Sequence, residues 1–525
     1  MGAWPSVATA QWVDGSAGAV LPRGSLRVTF GGTHQVQRDR YVDGIIEGIG
    51  GPLTSTALGP SQFPLLGSIE TEVRALGLPT FGASLGTSRL DARQRLFITP
   101  LAIHVGVADW LTVGASASLV RTKAEELFRL RGDSGRATLG VNPILIGSAV
   151  ATTNATTIGA YSAAALSLQS RRDDCIASPG SWPECATILA EVAAVSTLIS
   201  GTAAFASGLT ALYGAGLIGG APYVPLAGSA AEDALRARVD SIRLALERYG
   251  VTNVTTTTGL PLGAQAPLAA ADLALLITDP VRGFGAKRLK DGGLTAIGDV
   301  RLTALIRVHE GARLRQSAYV ELRLGTGARA RADRLLDQGT GTGFDAITAR
   351  TITDLRVNPR LAANLSFAIT TSFKDEVRMR VPAAAFPGFL EVWRDTVVPV
   401  TPGLLFEVGV APRFRLSESI TLAGEWQLLR QGEGTHDLTA TVLDPRGASV
   451  ALSGAALDAL SGSVEQRVAL SAVFSMLPAI ARGLKRPPLD MHYTHAQTLF
   501  GHSGVVAKRY EDRIAIRYYT RLFGR

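Results

Sequence analysis

The sequence predicts an all-β membrane barrel of about twelve antiparallel strands, within a range of about 10–14, with a large α-helical insert. Three observations predict it. Segments of about ten residues place apolar and polar side chains on opposite faces. The connectors between them alternate between short and long. One long stretch, 122–295, abandons the alternation for helical spacing.

The strands follow in order. The first is 24–32 and the second 92–105. In the third, 111–121, Leu111, Val113, Ala115, Ala117 and Leu119 share one parity, and Thr112, Gly114, Ser116 and Ser118 the other. In the fourth, 296–308, Val300, Leu302, Ala304, Ile306 and Val308 oppose Asp299, Arg301, Thr303, Arg307 and His309. The strands 314–325 and 346–357 follow; in 361–373, Leu361, Ala363, Leu365, Phe367 and Ile369 face away from Asn364, Ser366 and Thr370. Leu404, Phe406, Val408 and Val410 oppose Glu407 in 403–415, and Ile420, Leu422, Trp426 and Leu428 oppose Glu425 and Gln427 in 420–430. The last three are 464–475, 489–499 and 512–523, where Ile514, Ile516, Tyr518 and Leu522 oppose Arg513, Arg517 and Arg521. Most approach the 9–11 residues that a tilted strand needs to cross a bilayer.

The connectors Gly106–Trp110, His309–Arg313, Asn358–Arg360 and Ser417–Ser419 are tight, whereas 33–91, 122–295, 326–345, 374–402, 431–463 and 500–511 are long. One connector of medium length, 476–488, occupies a short-turn position. Outer-membrane barrels sort their loops in this way, with short periplasmic turns. An even strand count then puts both termini in the periplasm.

Within 122–295, Ser229-Ala-Ala-Glu232 reads as a capping box. After it Leu235, Val239, Ile242, Leu246 and Tyr249 recur at steps of four and three, and Gly250 ends the helix. The stretch 186–220 is apolar but rich in Ala, Gly, Ser and Thr, which suits helices packed through small residues. The organisation is therefore a signal-peptide remnant and N-terminal arm (1–23), strands one to three with a long first outer loop (24–121), a helical insert acting as outer cap or lumen plug (122–295), and strands four to twelve (296–525).

The net charge is +8, and of the 52 basic residues only six are Lys. The arginines are scattered among carboxylates, so the basic balance does not read as nucleic-acid binding. Ala8-Thr9-Ala10 before Gln11 resembles the end of a signal-peptide cleavage site. Cys175 and Cys185, close together in a Pro/Gly-containing stretch, read as a disulfide in an oxidising compartment.

Charged side chains share the polar parity. Arg301, Arg307, Glu321, Arg323, Glu407, Glu425, Arg513 and Arg517 would face the lumen, as would Gln427, Asp490 and His492, because lipid does not tolerate them. They would either set selectivity toward anions or fill a narrow barrel with ion pairs. His492 and His495, three apart on a strand, point to opposite faces and cannot share a metal. There is no nucleophile elbow, no H-E-x-x-H and no Walker motif, and Gly339-Thr-Gly-Thr-Gly343 opens no helix. The sequence thus implies no enzyme, cofactor or metal, although a Ser/His hydrolase assembled only by the fold is a third alternative.

Arg513-Ile-Ala-Ile-Arg-Tyr-Tyr-Thr-Arg-Leu-Phe523 resembles the C-terminal strand of bacterial outer-membrane β-barrels, which the barrel-insertion machinery reads. Gly524 and Arg525 depart from the terminal aromatic of that family. The phrases Gly106-Val-Ala-Asp-Trp-Leu-Thr-Val-Gly114 and Gly298-Asp-Val-Arg-Leu-Thr-Ala-Leu-Ile-Arg307 look like porin or hydrophobic-compound transporter barrels. The resemblance implies a Gram-negative outer-membrane location with lipid and the insertion machinery as partners. The expected function is passive passage of a small solute; the alternative is a sealed scaffold that displays the insert and loops to a partner.

Overall fold

The computed structural model describes residues 19–522 except 133–134, 215–219, 253, 255–259, 270–271, 288–291, 387 and 446. The expectations for Ala8-Thr9-Ala10 and for Phe523-Gly524-Arg525 lie outside the described residues.

Twelve long strands form the wall: β1 (Ser25–Val42), β2 (Thr87–Ala108), β3 (Leu111–Arg131), β4 (Val300–Glu310), β5 (Leu314–Leu324), β6 (Ala346–Arg356), β7 (Leu361–Ser372), β8 (Leu405–Arg415), β9 (Ile420–Gln431), β10 (Ser463–Ser475), β11 (Leu489–His502) and β12 (Val505–Arg521). Each pairs antiparallel with its neighbours in chain order, and β1 pairs with both β2 and β12, which closes the ring. Two short pieces, Ile45–Gly48 and Gly292–Ile297, extend the same sheet beside β1 and β3.

The alternation sorts the faces as a bilayer requires. Leu302 and Val408 are exposed on the outer wall at 44% and 37%, whereas Glu321 and Glu425 on the inner face are only 9% and 8% exposed. Grease faces outward and charge inward: a transmembrane barrel, not a sandwich with an apolar interior.

The wall is uneven. β2 and β3 run for 22 and 21 residues, against 11 for each of β4, β5 and β6. The expected strands 92–105 and 111–121 capture only the lower parts of β2 and β3. The expected long connector 500–511 is also corrected: β11 and β12 meet in the two-residue turn Ser503-Gly504, with φ of 59° and 117°. Asp43-Gly44 makes a similar turn after β1, with φ of 48° and 87°. Tight hairpins favour such left-handed pairs, which glycine adopts without a Cβ clash. The two turns bond to each other, Asp43 N–H donating to the Gly504 carbonyl at 3.1 Å and Gly504 N–H to Asp43 Oδ1 at 3.0 Å.

The remaining long connectors gather at one end. There α1 (Leu65–Ala75), from the β1–β2 connector, packs with the insert helices α2 (Ser148–Ala177), α3 (Cys185–Ala190), α4 (Val192–Tyr213) and α5 (Ala230–Glu247) around one apolar core. That core includes Leu90 and Leu130 from the inner face of the β2 and β3 tips, so the insert caps the barrel mouth. Ser229 Oγ accepts from Glu232 N–H at the start of α5, Leu235, Val239, Ile242 and Leu246 are its buried face, and Tyr249 is buried just past its end. Helix α4 is long and apolar enough to cross a membrane; here it packs on α2 within the cap. Cys175 and Cys185 form a disulfide that ties the end of α2 to the start of α3. A smaller apolar core, built on Val377, Val398, Val400 and Leu457, organises the connectors 373–404 and 432–462 beside it.

Candidate functional site

The inner face of the barrel is a set of paired charges. Arg301 Nε lies 3.7 Å from Glu321, whose other oxygen accepts from the Tyr319 hydroxyl at 2.6 Å. Arg350 pairs with Glu407. Arg413 meets Asp354 at 2.5 Å, and Asn364 donates to the same carboxylate. Arg467, only 2% exposed, sits between Glu465 at 3.5 Å and Glu511 at 3.4 Å. Buried charges are costly unless paired, and each of these has a partner of opposite sign.

The predicted lumen residues spread over this lattice. Arg301, Glu321 and Arg323 are neighbours on β4 and β5, where Arg301 stands opposite Arg323 in register. Arg323 also donates to the Phe344 carbonyl and to Ser372. Glu407 is joined to Arg350, and Glu425 accepts from Gln427 at 2.7 Å. Arg513 lies in register with Thr33 and Thr494 on the other wall, and Arg517 with Thr29 and Asp490. Arg307 is elsewhere: it shares Glu310 with Arg315 at the short-turn rim. Six residues of strand separate it from Arg301, roughly 20 Å. The eight therefore do not form one constriction ring.

The segment just before β1 narrows the short-turn half. Val20 and Leu21 are buried; Val20 belongs to one apolar cluster with Leu305 and Ile352 on the inner wall, against which Tyr319 packs. Leu21 N–H donates to Thr112 Oγ1 at 2.8 Å, and Gly24 N–H to the Gly106 carbonyl at 2.8 Å. Gly106 is required there, because a Cβ would lie 2.1 Å from the Pro22 carbonyl.

At the capped end the lumen opens into a chamber of about 290 Å³. Its wall is mainly apolar, with Phe344, Val377, Met379, Phe389, Val400 and Leu429. Around them stand Arg323, Arg329, Arg331, Arg334, Arg380 and Arg509, with Asp337 and Glu465 for acids. Arg329 bonds Asp375 and lies over the Phe344 ring at 4.4 Å. That bond holds the Asp375 carboxyl below the usual carboxylate range. Arg380 donates to the Phe284 and Leu390 carbonyls at 2.8 and 2.5 Å, joining the insert to the 373–404 connector.

Several of these residues escaped the sequence reading. Arg350 and Asp354 sit on 346–357, a strand with no legible parity, and Arg413 lies beyond Val410, where the visible alternation of 403–415 ends. Glu465, Arg467, Arg509 and Glu511 belong to the capped-end halves of β10 and β12, and Arg509 and Glu511 lie within the expected connector 500–511. The inward parity, carried beyond the visible apolar run, is the signal that finds them.

One arrangement bears on catalysis. His436 in the chamber wall pairs with Asp458 at 2.7 Å, and Ser461 is nearby. The Ser461 hydroxyl donates to the Asp458 carbonyl at 2.7 Å and accepts from Gly434 N–H. Its proton is thus directed to the backbone, away from the imidazole that a nucleophilic serine needs.

No protein-family profile and no curated protein matches the chain. Solved structures do. An outer-membrane channel of Pseudomonas putida F1 aligns over 97% of this chain and 100% of its own, at 9% identity and a TM-score of 0.42. The toluene transporter TbuX of Ralstonia pickettii aligns over 100% and 96%, at 10% identity and a TM-score of 0.29. The translocator domain of the autotransporter NalP from Neisseria meningitidis aligns over 94% and 88%, at 8% identity and a TM-score of 0.29. The barrel assignment itself stands on the strand pairing described above.

Proposed function

We propose that the protein is a passive outer-membrane channel for small solutes, with no enzymatic step, held closed in the conformation described. The observation that carries this reading is a closed barrel whose polar lumen meets a chamber of about 290 Å³ beneath a capped mouth. A solute would enter through the chamber, pass Arg323 and Arg301, and leave at the rim near Arg307. The paired lattice of Glu321, Glu407, Glu425, Arg513 and Arg517 would set charge preference. Lipid surrounds the apolar belt in this reading, and the barrel-insertion machinery assembles the protein there.

A second reading, a sealed barrel displaying its cap to a partner, draws support from the depth at which Arg467, Glu465 and Glu511 are enclosed. Planar-bilayer recording of the purified protein separates the two. The channel reading expects discrete conductance steps, shifted toward anions by Glu407→Gln. Silence over the full voltage range, with the N-terminal segment also removed, leaves the scaffold.

A further inference from the structure

The outer surface of β2 and β3 changes character partway along. From Val107 to Phe97 the outward residues of β2 are mostly apolar, including Val107, Ile103, Leu101 and Phe97, all exposed. At about 3.3 Å per residue and a tilt near 40°, this stretch spans about 25 Å, the height of a membrane belt. Beyond Phe97 the same face carries Arg95 and Arg93, and β3 adds Arg121 and Lys123. The inner face changes the opposite way, to Leu90 and Leu130 under the helical cap. The level of Phe97 and Arg121, opposite each other in register, is therefore where lipid tails give way to headgroups.

The cations above that level are badly placed for a bare surface. Arg95 stands directly opposite Lys123, and like charges so paired are destabilising. One carboxylate, Glu125, serves both, at 3.1 Å from Arg95 and 2.9 Å from Lys123. The Nε–H groups of Arg93 and Arg95 are shielded from water and meet no acceptor within the described residues. Arg38 lies one residue from Gln37, which pairs with Gln94, and so adds a further cation beside Arg93. At comparable height β5–β10 present one outward cation, Arg430. The charge is concentrated on one side, at one depth, facing lipid.

We infer that Arg38, Arg93, Arg95, Arg121 and Lys123 bind the phosphate groups of a phosphorylated glycolipid in the outer leaflet. Arginine forks suit phosphate oxygens bidentately, and the apolar surface below takes the acyl chains. The inference rests on the capped end facing outward, as the sorting of long connectors to that end implies, and on the channel's outer-membrane setting, but not on conduction.

The test uses the full-length protein in detergent. Binding of bisphosphorylated lipid A is compared with that of chemically dephosphorylated lipid A and of phosphatidylglycerol, by native mass spectrometry. The wild type is expected to hold bisphosphorylated lipid A at least tenfold more tightly than either. A combined Arg93→Gln, Arg95→Gln, Arg121→Gln variant should lose that preference, whereas Arg→Lys changes at the same positions should retain most of it. Arg121→Gln alone, at an exposed position, provides a milder variant, and heat-modifiable gel migration verifies folding. Equal binding by the Gln variant, equal binding of the dephosphorylated lipid or of phosphatidylglycerol, or displacement by millimolar inorganic phosphate each overturns the proposal. Bilayer conductance, measured in parallel, tells its failure from that of the channel reading.

Discussion

The Glu391 carboxylate accepts a hydrogen bond from the Leu65 amide at 2.9 Å, across 326 residues of sequence. Its second oxygen accepts from Arg394 Nε at 2.9 Å, and the side chain is wholly buried. A carboxylate at the first turn of α1 satisfies an N–H that the helix leaves unpaired and complements its dipole. Glu391 thus bolts the 373–404 connector to the helical cap. Glu391→Ala strands Arg394 without its partner and should cost about 3 kcal/mol of cap stability. Limited trypsin digestion is expected to cut within the cap much sooner in the variant, with the barrel strands still protected; unchanged digestion would contradict this account.

Val20 packs into the lumen through apolar contact alone. Val20→Asp places a carboxylate against Leu305 and Ile352, where it finds no solvent. The segment should leave the lumen, and bilayer recordings should show a higher open probability than the wild type. An identical trace would mean that the segment does not govern the pathway.

The disulfide lies at the far end of the α2–α4 hairpin, remote from the strands. Removing it by Cys175→Ser with Cys185→Ser frees a segment with a sequence separation of 10. Links of this kind contribute about 2–4 kcal/mol. Hydrogen exchange should rise around the 175–191 turn and remain unchanged in β4–β12. Loss of protection throughout the barrel would show that the cap and wall unfold together.

Membrane orientation can be read with single cysteines in the Ser-substituted background. Ser503→Cys, in the turn beside the cap, should react with an impermeant maleimide on intact cells. Ser417→Cys, in a short turn at the opposite end, should react only after the outer membrane is opened. The reverse pattern would invert the topology.

The barrel was legible because lipid imposes one rule on every strand. Leu302 against Arg301, and Val408 against Glu407, could be assigned to faces from parity alone. The α5 helix was legible for a similar reason: Ser229 marks its start, Gly250 its end, and its apolar stripe has one place to go. The tips of β2 and β3 were not. Above Phe97 a polar surround replaces lipid tails outside and the helical cap replaces the polar lumen inside. The faces therefore exchange polarity, and the alternation loses its phase at Leu96. The β11–β12 turn was hidden in another way. Lys508, Arg509 and Glu511 read as a loop, although Arg509 and Glu511 are inward residues of a strand lying beyond the bilayer. Pairing partners such as Arg350 for Glu407 were illegible because register depends on closure, which no single strand encodes.

β1 pairs along most of its length with β12, from Ser25 opposite Arg521 to Val42 opposite Val505. The ring is thus zipped by the earliest and latest portions of the described chain. Every other seam can form between strands consecutive in the chain; the one between β1 and β12 waits until β12 has emerged. A nascent or truncated product would carry two raw sheet margins, each a template for foreign strands. Emergence of β12 and sealing of the wall are consequently a single event.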